Sequence, residues 1–184
     1  MRVIAGRFKG RRLKAPSWDG LRPTSDKLRE TLFNILAPRL RGARVLDGFA
    51  GTGAVGIEAL SRGAAHVTFI ECDRRATALI EANLDVCGQQ QGYTIEGGDV
   101  AAVLRRLSGD TAFDLILLDP PYDIESGAMT TTLEVAAGRV AADGLVVLER
   151  ATRRQPIVPL SLSHVRDVTS GDSTLTCFVR RELR

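Results

Sequence analysis

Arg44-Val45-Leu46-Asp47-Gly48-Phe49-Ala50-Gly51-Thr52-Gly53-Ala54-Val55-Gly56 is the stretch that decides the fold. Its first four residues read as a short strand. Gly51 to Gly56 then match G-x-G-x-x-G, and residues 54–61 continue as a helix closed by Gly63. A strand that turns through glycines into a helix presents backbone N–H groups to a ligand at the helix N-terminus. Glu71 stands twenty residues beyond Gly51, at the end of the next predicted strand, where an acid can hold ribose hydroxyls.

Downstream, strands at 66–70, 93–96, 113–118 and 145–148 alternate with helices at 74–86, 100–107 and 128–140. This is an α/β pattern: a parallel sheet covered on both faces. Residues 158–168 and 174–179, joined by Ser170-Gly171-Asp172, read as an antiparallel hairpin closing one edge. Upstream, residues 1–15 read as a β-hairpin around Gly6-Arg7-Phe8-Lys9-Gly10. Thr24-Ser25-Asp26 then start a helix that Pro38 ends. The expected division is a basic hairpin extension over 1–20 and one domain over 21–184.

Four acids fall at successive strand ends: Asp47, Glu71, Asp99 and Asp119. In an open α/β sheet these ends line one crevice. No Lys or Arg lies inside the four motifs, so a pyrophosphate would be repelled and a nicotinamide cofactor is disfavoured. An ammonium, a sulfonium and a ribose diol suit such a crevice, and S-adenosylmethionine carries all three. Its carboxylate can use the N–H groups of the glycine turn.

Asp119-Pro120-Pro121-Tyr122 follows the apolar strand Leu115-Ile116-Leu117-Leu118. Two prolines stiffen the chain and remove two donors, leaving carbonyls to accept. An exocyclic amine on a nucleobase is a weak nucleophile because its lone pair is delocalised into the ring. Held by the Asp119 carboxylate and the Pro120 carbonyl, that lone pair is directed at an electrophilic methyl. Asp119 stabilises the positive charge that develops on nitrogen, and Tyr122 offers a face for an unstacked base.

With these residues in view, the chain resembles the RsmD-type bacterial 16S ribosomal RNA guanine-N2 methyltransferases over nearly its whole length. The resemblance rests on Met1-Arg2-Val3-Ile4-Ala5-Gly6, Lys9-Gly10-Arg11, Arg22-Pro23-Thr24-Ser25-Asp26 and Arg29-Glu30-Thr31-Leu32-Phe33-Asn34-Ile35-Leu36. It continues through Val45 to Gly53, Gly56 to Ala64, and Asp119 to Tyr122. It implies a class I, Rossmann-like, seven-stranded, mostly parallel sheet with an antiparallel C-terminal edge and an N-terminal hairpin that engages RNA. The implied cofactor is S-adenosylmethionine. The implied substrate is one guanine of 16S ribosomal RNA, guanine 966, in the small ribosomal subunit or its assembly intermediates.

Carried over by position, the resemblance places Asp47, Phe49, Ala50, Gly51 and Gly53 around the methionine part of the cofactor. Glu71 would hold the ribose diol and Asp99 the adenine amine, with Cys72 and Val100 also among the cofactor-binding residues. Asp119, Pro120, Pro121 and Tyr122 would take the target base. Arg22 and Thr24 would close over cofactor and target, although Thr24 reads equally as a helix N-cap. Gly48 and Thr52 replace residues the family usually has bulkier, or as Ser.

Residues 1–44 hold 12 Lys and Arg against three acids, a net of +9, while the remaining 140 residues carry −6. A basic leading segment suits a polyanion, and Lys9, Arg11 and Arg12 are its candidate RNA contacts. Phe8 either wedges against RNA or packs onto the body, and packing is the expectation. Cys72 reads either as an adenine-pocket contact or as a small buried apolar group, the latter being the expectation. With 184 residues, no bilayer-length apolar run, no signal-like N-terminus and no C-x-x-C pair, the chain reads as a cytoplasmic, metal-free monomer. A DNA adenine-N6 or cytosine-N4 methyltransferase shares the chemistry, but a chain this short has little room for a target-recognition domain.

Overall fold

The computed structural model describes residues 1–18, 25–108, 112–155 and 157–181. Its elements run α1 (Asp26–Leu40), β1 (Arg44–Gly48), α2 (Ala54–Ser61), β2 (His66–Glu71), α3 (Arg74–Cys87), β3 (Tyr93–Gly97), α4 (Val100–Arg106), β4 (Phe113–Leu118), α5 (Ser126–Ala137), β5 (Val140–Ala151), β6 (Leu162–Ser170) and β7 (Ser173–Arg180). The seven strands form one sheet in the order β3-β2-β1-β4-β5-β7-β6. β3 to β5 pair in parallel, while β7 lies antiparallel between β5 and β6. Strand order reverses direction between β1 and β4, which opens a crevice outside their carboxyl ends.

Alternation along the strands sorts side chains to two faces. Val45, Val67, Phe69, Leu115, Leu117, Leu145, Val147, Leu175 and Cys177 pack with α1, α2 and α3. Leu46, Ile70, Ile116, Leu118, Val146, Leu148 and Phe178 pack with α4 and α5. Central strands buried on both sides explain the apolar runs in the sequence.

The leading segment is built into the first of these layers. Val3 N–H donates to the Arg11 carbonyl (3.0 Å), Gly10 N–H to Val3 (2.9 Å) and Leu13 N–H to Met1 (3.2 Å), around a single antiparallel bridge between Arg2 and Arg12. Val3, Phe8 and Leu13 are buried in the same core as α2. Each such side chain contributes about 1.5–3 kcal/mol on burial. Phe8 therefore packs, as expected. The buried Glu58 carboxylate accepts from Ile4 N–H (2.7 Å) and Ala5 N–H (2.9 Å), and Ser61 Oγ accepts from Phe8 N–H (2.9 Å). A fully buried Arg29 in α1 donates to the Arg2 carbonyl (2.7 Å) and to Asp26 (2.7 Å), fastening the segment from the other side.

Three element boundaries differ from expectation. Helix α1 runs through Pro38 to Leu40, which is buried. Near a helix end the cost of Pro is one hydrogen bond to the Asn34 carbonyl, and burying Leu40 offsets it. Helix α5 spans Ser126–Ala137 with Gly138 at its C-cap, and Val140 already belongs to β5, paired with Phe113. Residues 158–161 lie outside β6. There Leu160 and Ser161 donate their N–H groups to Glu134 of α5 (2.5 and 3.3 Å) rather than to a ladder.

Candidate active site

The β1–α2 turn is shaped by close packing. Gly53 caps α2 in the left-handed region (φ 75°) and offers no side chain of its own, while Asp47 takes the Gly56 N–H of the first turn. The start of α2 follows the carboxyl end of β1, a position whose helix dipole favours an anion. Gly56 lies so close to β2 that a Cβ would come within 2.2 Å of the Phe69 ring. Between β1 and this turn, Phe49 holds φ 63° without being glycine, a sparsely populated conformation of the kind found at ligand sites. Ala50 N–H donates to the Ile70 carbonyl (3.0 Å), tying the turn to β2.

Carboxylates on this side are engaged by backbone. Asp47 Oδ2 accepts from Gly56 N–H (2.7 Å) in a fully buried position. Burial raises the Asp47 carboxyl most, and the Gly56 N–H pulls it partly back. The charges of Asp119 and Glu71 add to the rise, which reaches about 8. Glu71, also buried, accepts from Gly51 N–H (2.8 Å) with one oxygen and from Asp73 N–H (2.9 Å) with the other. Asp99 is the N-cap of α4, and its Oδ1 accepts from Ala102 N–H (2.8 Å). Val100, the first residue of that helix, is buried.

Cys72 is exposed, contrary to the expectation of a small buried group, because it follows the last residue of β2. Its thiol lies 3.5 Å from Glu71. Trp18 stacks under the Arg75 guanidinium (4.9 Å), which itself pairs with Asp73 (2.7 Å), at the crevice end of α3.

Asp119 to Tyr122 leave β4 on the other side of the switch point. Asp119 N–H donates to the Gly48 carbonyl (3.3 Å), so the tetrapeptide is hung on the strand that precedes the glycine turn. Pro120 is buried, whereas Pro121 and Tyr122 are exposed. Tyr122 Oη lies 3.3 Å from Ser173 Oγ, and Ser173 Oγ donates to Glu149 Oε1 (2.9 Å). A cavity of about 410 Å³ adjoins the tetrapeptide and is closed by residues of α5 and the end of β5, Glu149 among them.

Sequence reasoning missed Glu149 and Ser173. The available signal was a lone acid directly after the apolar run Leu145–Leu148, in a strand paired with β4.

The structure thus gathers Asp47, Phe49, Ala50, Gly51, Gly53, Glu71, Cys72 and Asp119 to Tyr122 at one end of the sheet, with Asp99 and Val100 after β3. Lys9, Arg11 and Arg12 are exposed but lie elsewhere. Their segment runs along α2, its tip fastened at Ser61 and its base, through Lys14 and Asn83, tied to Thr52 in the glycine turn. Arg22 and Thr24 lie outside the described residues. Among the described residues no cluster of side chains could hold a metal ion, and no helix is long and apolar enough to cross a membrane.

Sheet order, glycine turn and strand-end acids define the fold of a class I S-adenosylmethionine-dependent methyltransferase. The family model described as conserved hypothetical protein 95, the RsmD family, matches residues 1–179, and the chain belongs to that family. It is 34% identical over 183 residues to the ribosomal RNA small subunit methyltransferase D of Escherichia coli strain K12, covering 98% of this chain and 90% of that protein. It is 39% identical over 150 residues to the putative rRNA methyltransferase YlbH of Bacillus subtilis, covering 81% and 82%. Among solved structures it superposes on the putative methyltransferase yhhF of Escherichia coli with a TM-score of 0.84 at 34% identity, covering 98% and 97%.

Proposed function

We propose that this protein transfers the methyl group of S-adenosylmethionine to the exocyclic N2 amine of one guanine in small-subunit ribosomal RNA. The cofactor is S-adenosylmethionine, and methylation of ribosomal RNA is the activity named for its relatives. The observation that carries the amine reading is the tetrapeptide Asp119 to Tyr122, suspended from Gly48 beside the glycine turn, with the Asp119 charge felt at Asp47, and the choice of guanine rests on the family resemblance.

The donor set fits the cofactor. The N-terminus of α2 receives the amino-acid carboxylate beside Gly53, and Asp47, which holds the Gly56 N–H of that turn, faces the ammonium. Glu71 retains lone pairs for the ribose diol beyond those used by Gly51 and Asp73. Asp99 keeps its second oxygen for the adenine amine while the first caps α4. When bound, the cofactor supplies an electrophilic sulfonium methyl. Everything else falls to the chain: the Asp119 carboxylate and the Pro120 carbonyl orient the amine. Asp119 stabilises the charge that grows on nitrogen, and exposed Tyr122 carries the base face. Lys9, Arg11 and Arg12, exposed on the segment laid along α2, hold RNA phosphates and position the RNA rather than touch the target. The protein acts as a monomer on guanine 966, in an assembling small subunit in the cytoplasm.

A methyl-transfer assay with radiolabelled cofactor, comparing naked small-subunit RNA with assembly intermediates, tests this reading. Mapping the product is expected to find N2-methylguanine at a single position. Label on an adenine or cytosine amine, or on DNA in preference to RNA, overturns it.

A further inference from the structure

Glu149 is a buried carboxylate, 7% exposed, that the amine-holding tetrapeptide does not explain. Its place follows from the register. Leu118 of β4 pairs with Leu148 of β5, so Asp119 and Glu149 are the next residues at the same level on neighbouring parallel strands. Alternation puts them on the same face: Leu115 and Leu117 before Asp119, and Leu145 and Val147 before Glu149, all belong to the core under α1 to α3. Asp47 shares that face, one pleat lower.

Across the sheet, the order is therefore glycine turn and Asp47 on β1, Asp119 on β4, Glu149 on β5. The cofactor occupies the β1 side. A base whose amine is held at Asp119 must extend its ring away from the cofactor, which is toward β5. Neighbouring strands lie about 4.8 Å apart, a spacing that lets one planar ring meet both carboxylates. Ser173 bridges Glu149 to the Tyr122 hydroxyl, fixing the acid relative to the aromatic on which the base rests.

The atom beside the amine decides what such an acid selects. In guanine the neighbouring ring nitrogen, N1, carries a proton and donates. In adenine and cytosine the ring nitrogen beside the amine is an acceptor, whose lone pair would face a buried carboxylate. We propose that Glu149 is a specificity-determining residue, which accepts the N1–H of the target guanine while Asp119 and Pro120 hold its N2 amine. The assignment rests on the guanine-N2 reading above and says how that base is chosen over the other amino bases.

The test uses small-subunit particles reconstituted with RNA carrying either guanine or 2-aminopurine at the mapped target. The analogue keeps the 2-amine but has an acceptor at N1. Wild-type protein is expected to methylate guanine at least tenfold faster, since a charge-assisted hydrogen bond is lost and a carboxylate meets a lone pair. Glu149→Gln keeps an oxygen for Ser173 and gains an amide donor for the N1 acceptor. It is expected to shrink the guanine preference by tenfold or more, slowing guanine and sparing 2-aminopurine. Equal wild-type rates on the two RNAs overturn the assignment, and so does a folded Glu149→Gln protein whose preference is unchanged. Failure of the guanine reading itself is distinct: wild-type label would then map to another base or to another atom of guanine.

Discussion

The two halves of the crevice are exposed to different degrees. On the β1–β2 side, Asp47 and Glu71 spend hydrogen-bonding capacity on the backbone, on Gly56 and on Gly51 with Asp73. Both are buried, and the turn they hold is locked by Gly56 packed against β2 and Gly53 against Ile80 of α3. On the β4–β5 side, a chain of side-chain links runs from Tyr122 through Ser173 to Glu149, and Tyr122 is 39% exposed. The first half is made with the fold and is ready for a ligand common to a whole fold class. The second half, in the reading proposed above, presents groups to a macromolecule that must bring its base to them. Losing a group from the second half should damage chemistry while sparing the fold, and losing one from the first should damage ligand binding and the fold together.

Asp119→Ala is the hardest test of that contrast. It is expected to lower kcat by about 10²–10³-fold, the range for removing a preorganised transition-state contact. Affinity for S-adenosylmethionine should stay within a few fold, measured by calorimetry on the same preparation. A variant that turns over normally removes Asp119 from the chemistry, and one that loses the cofactor moves it to the other half. Glu71→Ala should do the reverse, weakening cofactor affinity by about 10–100-fold through the lost charge-assisted contact. It should also lower the melting temperature, because Gly51 and Asp73 lose their acceptor. An unchanged dissociation constant together with a lowered melting temperature would make Glu71 a brace of the glycine turn alone.

Much of the first half was legible in the sequence because its signals are local. The glycine spacing, the strand before it and the acid twenty residues on are each a short-range pattern, and the parallel strands declared themselves as apolar runs. Asp99 shows the limit of that reading: an acid at a strand end is also an acid at a helix start, and here it caps α4. The second half was legible only as far as Asp119 to Tyr122 are contiguous. Glu149 and Ser173 reach the site through strand pairing, Glu149 across from β4 and Ser173 from antiparallel β7, and no spacing in the chain announces that. The leading segment read as an appendage because its charges dominate its composition. Its three buried side chains and its links to Glu58 and Ser61 make it part of the α2 layer instead.

That placement sharpens what the basic segment does. Replacing Lys9, Arg11 and Arg12 together by Gln should weaken RNA binding by about tenfold near physiological salt and flatten its log–log salt dependence, since each phosphate contact contributes a slope of about 0.7–0.9. Because these side chains are exposed on the outer segment and take no part in holding the amine, kcat at saturating RNA should hold. An unchanged salt slope would put the RNA footprint on another face, and a fall in kcat would bring the segment into the chemistry.

The smallest expected effect concerns Asp47, and it separates a buried acid that binds from one that only shapes the turn. Its carboxyl, pushed up to about 8 by burial, is mostly protonated near neutral pH in the ligand-free protein. A cationic cofactor favours the ionised form, so binding releases a proton and affinity rises with pH below 8. Between pH 6.5 and 7.5, where the cofactor ammonium is still largely protonated, the gain is bounded at about eightfold for one group titrating near 8. Asp47→Asn, which keeps an oxygen for Gly56 N–H, should flatten that rise. Stability of the ligand-free protein carries the opposite sign. The folded state holds a proton that the unfolded chain releases above the ordinary carboxylate range, so stability falls from about pH 4 to about pH 8. The Asn variant should lose that fall and melt higher than wild type at pH 8. If affinity is flat with pH in the wild type while the melting curves still diverge, Asp47 belongs to the turn and the ammonium is held by another group.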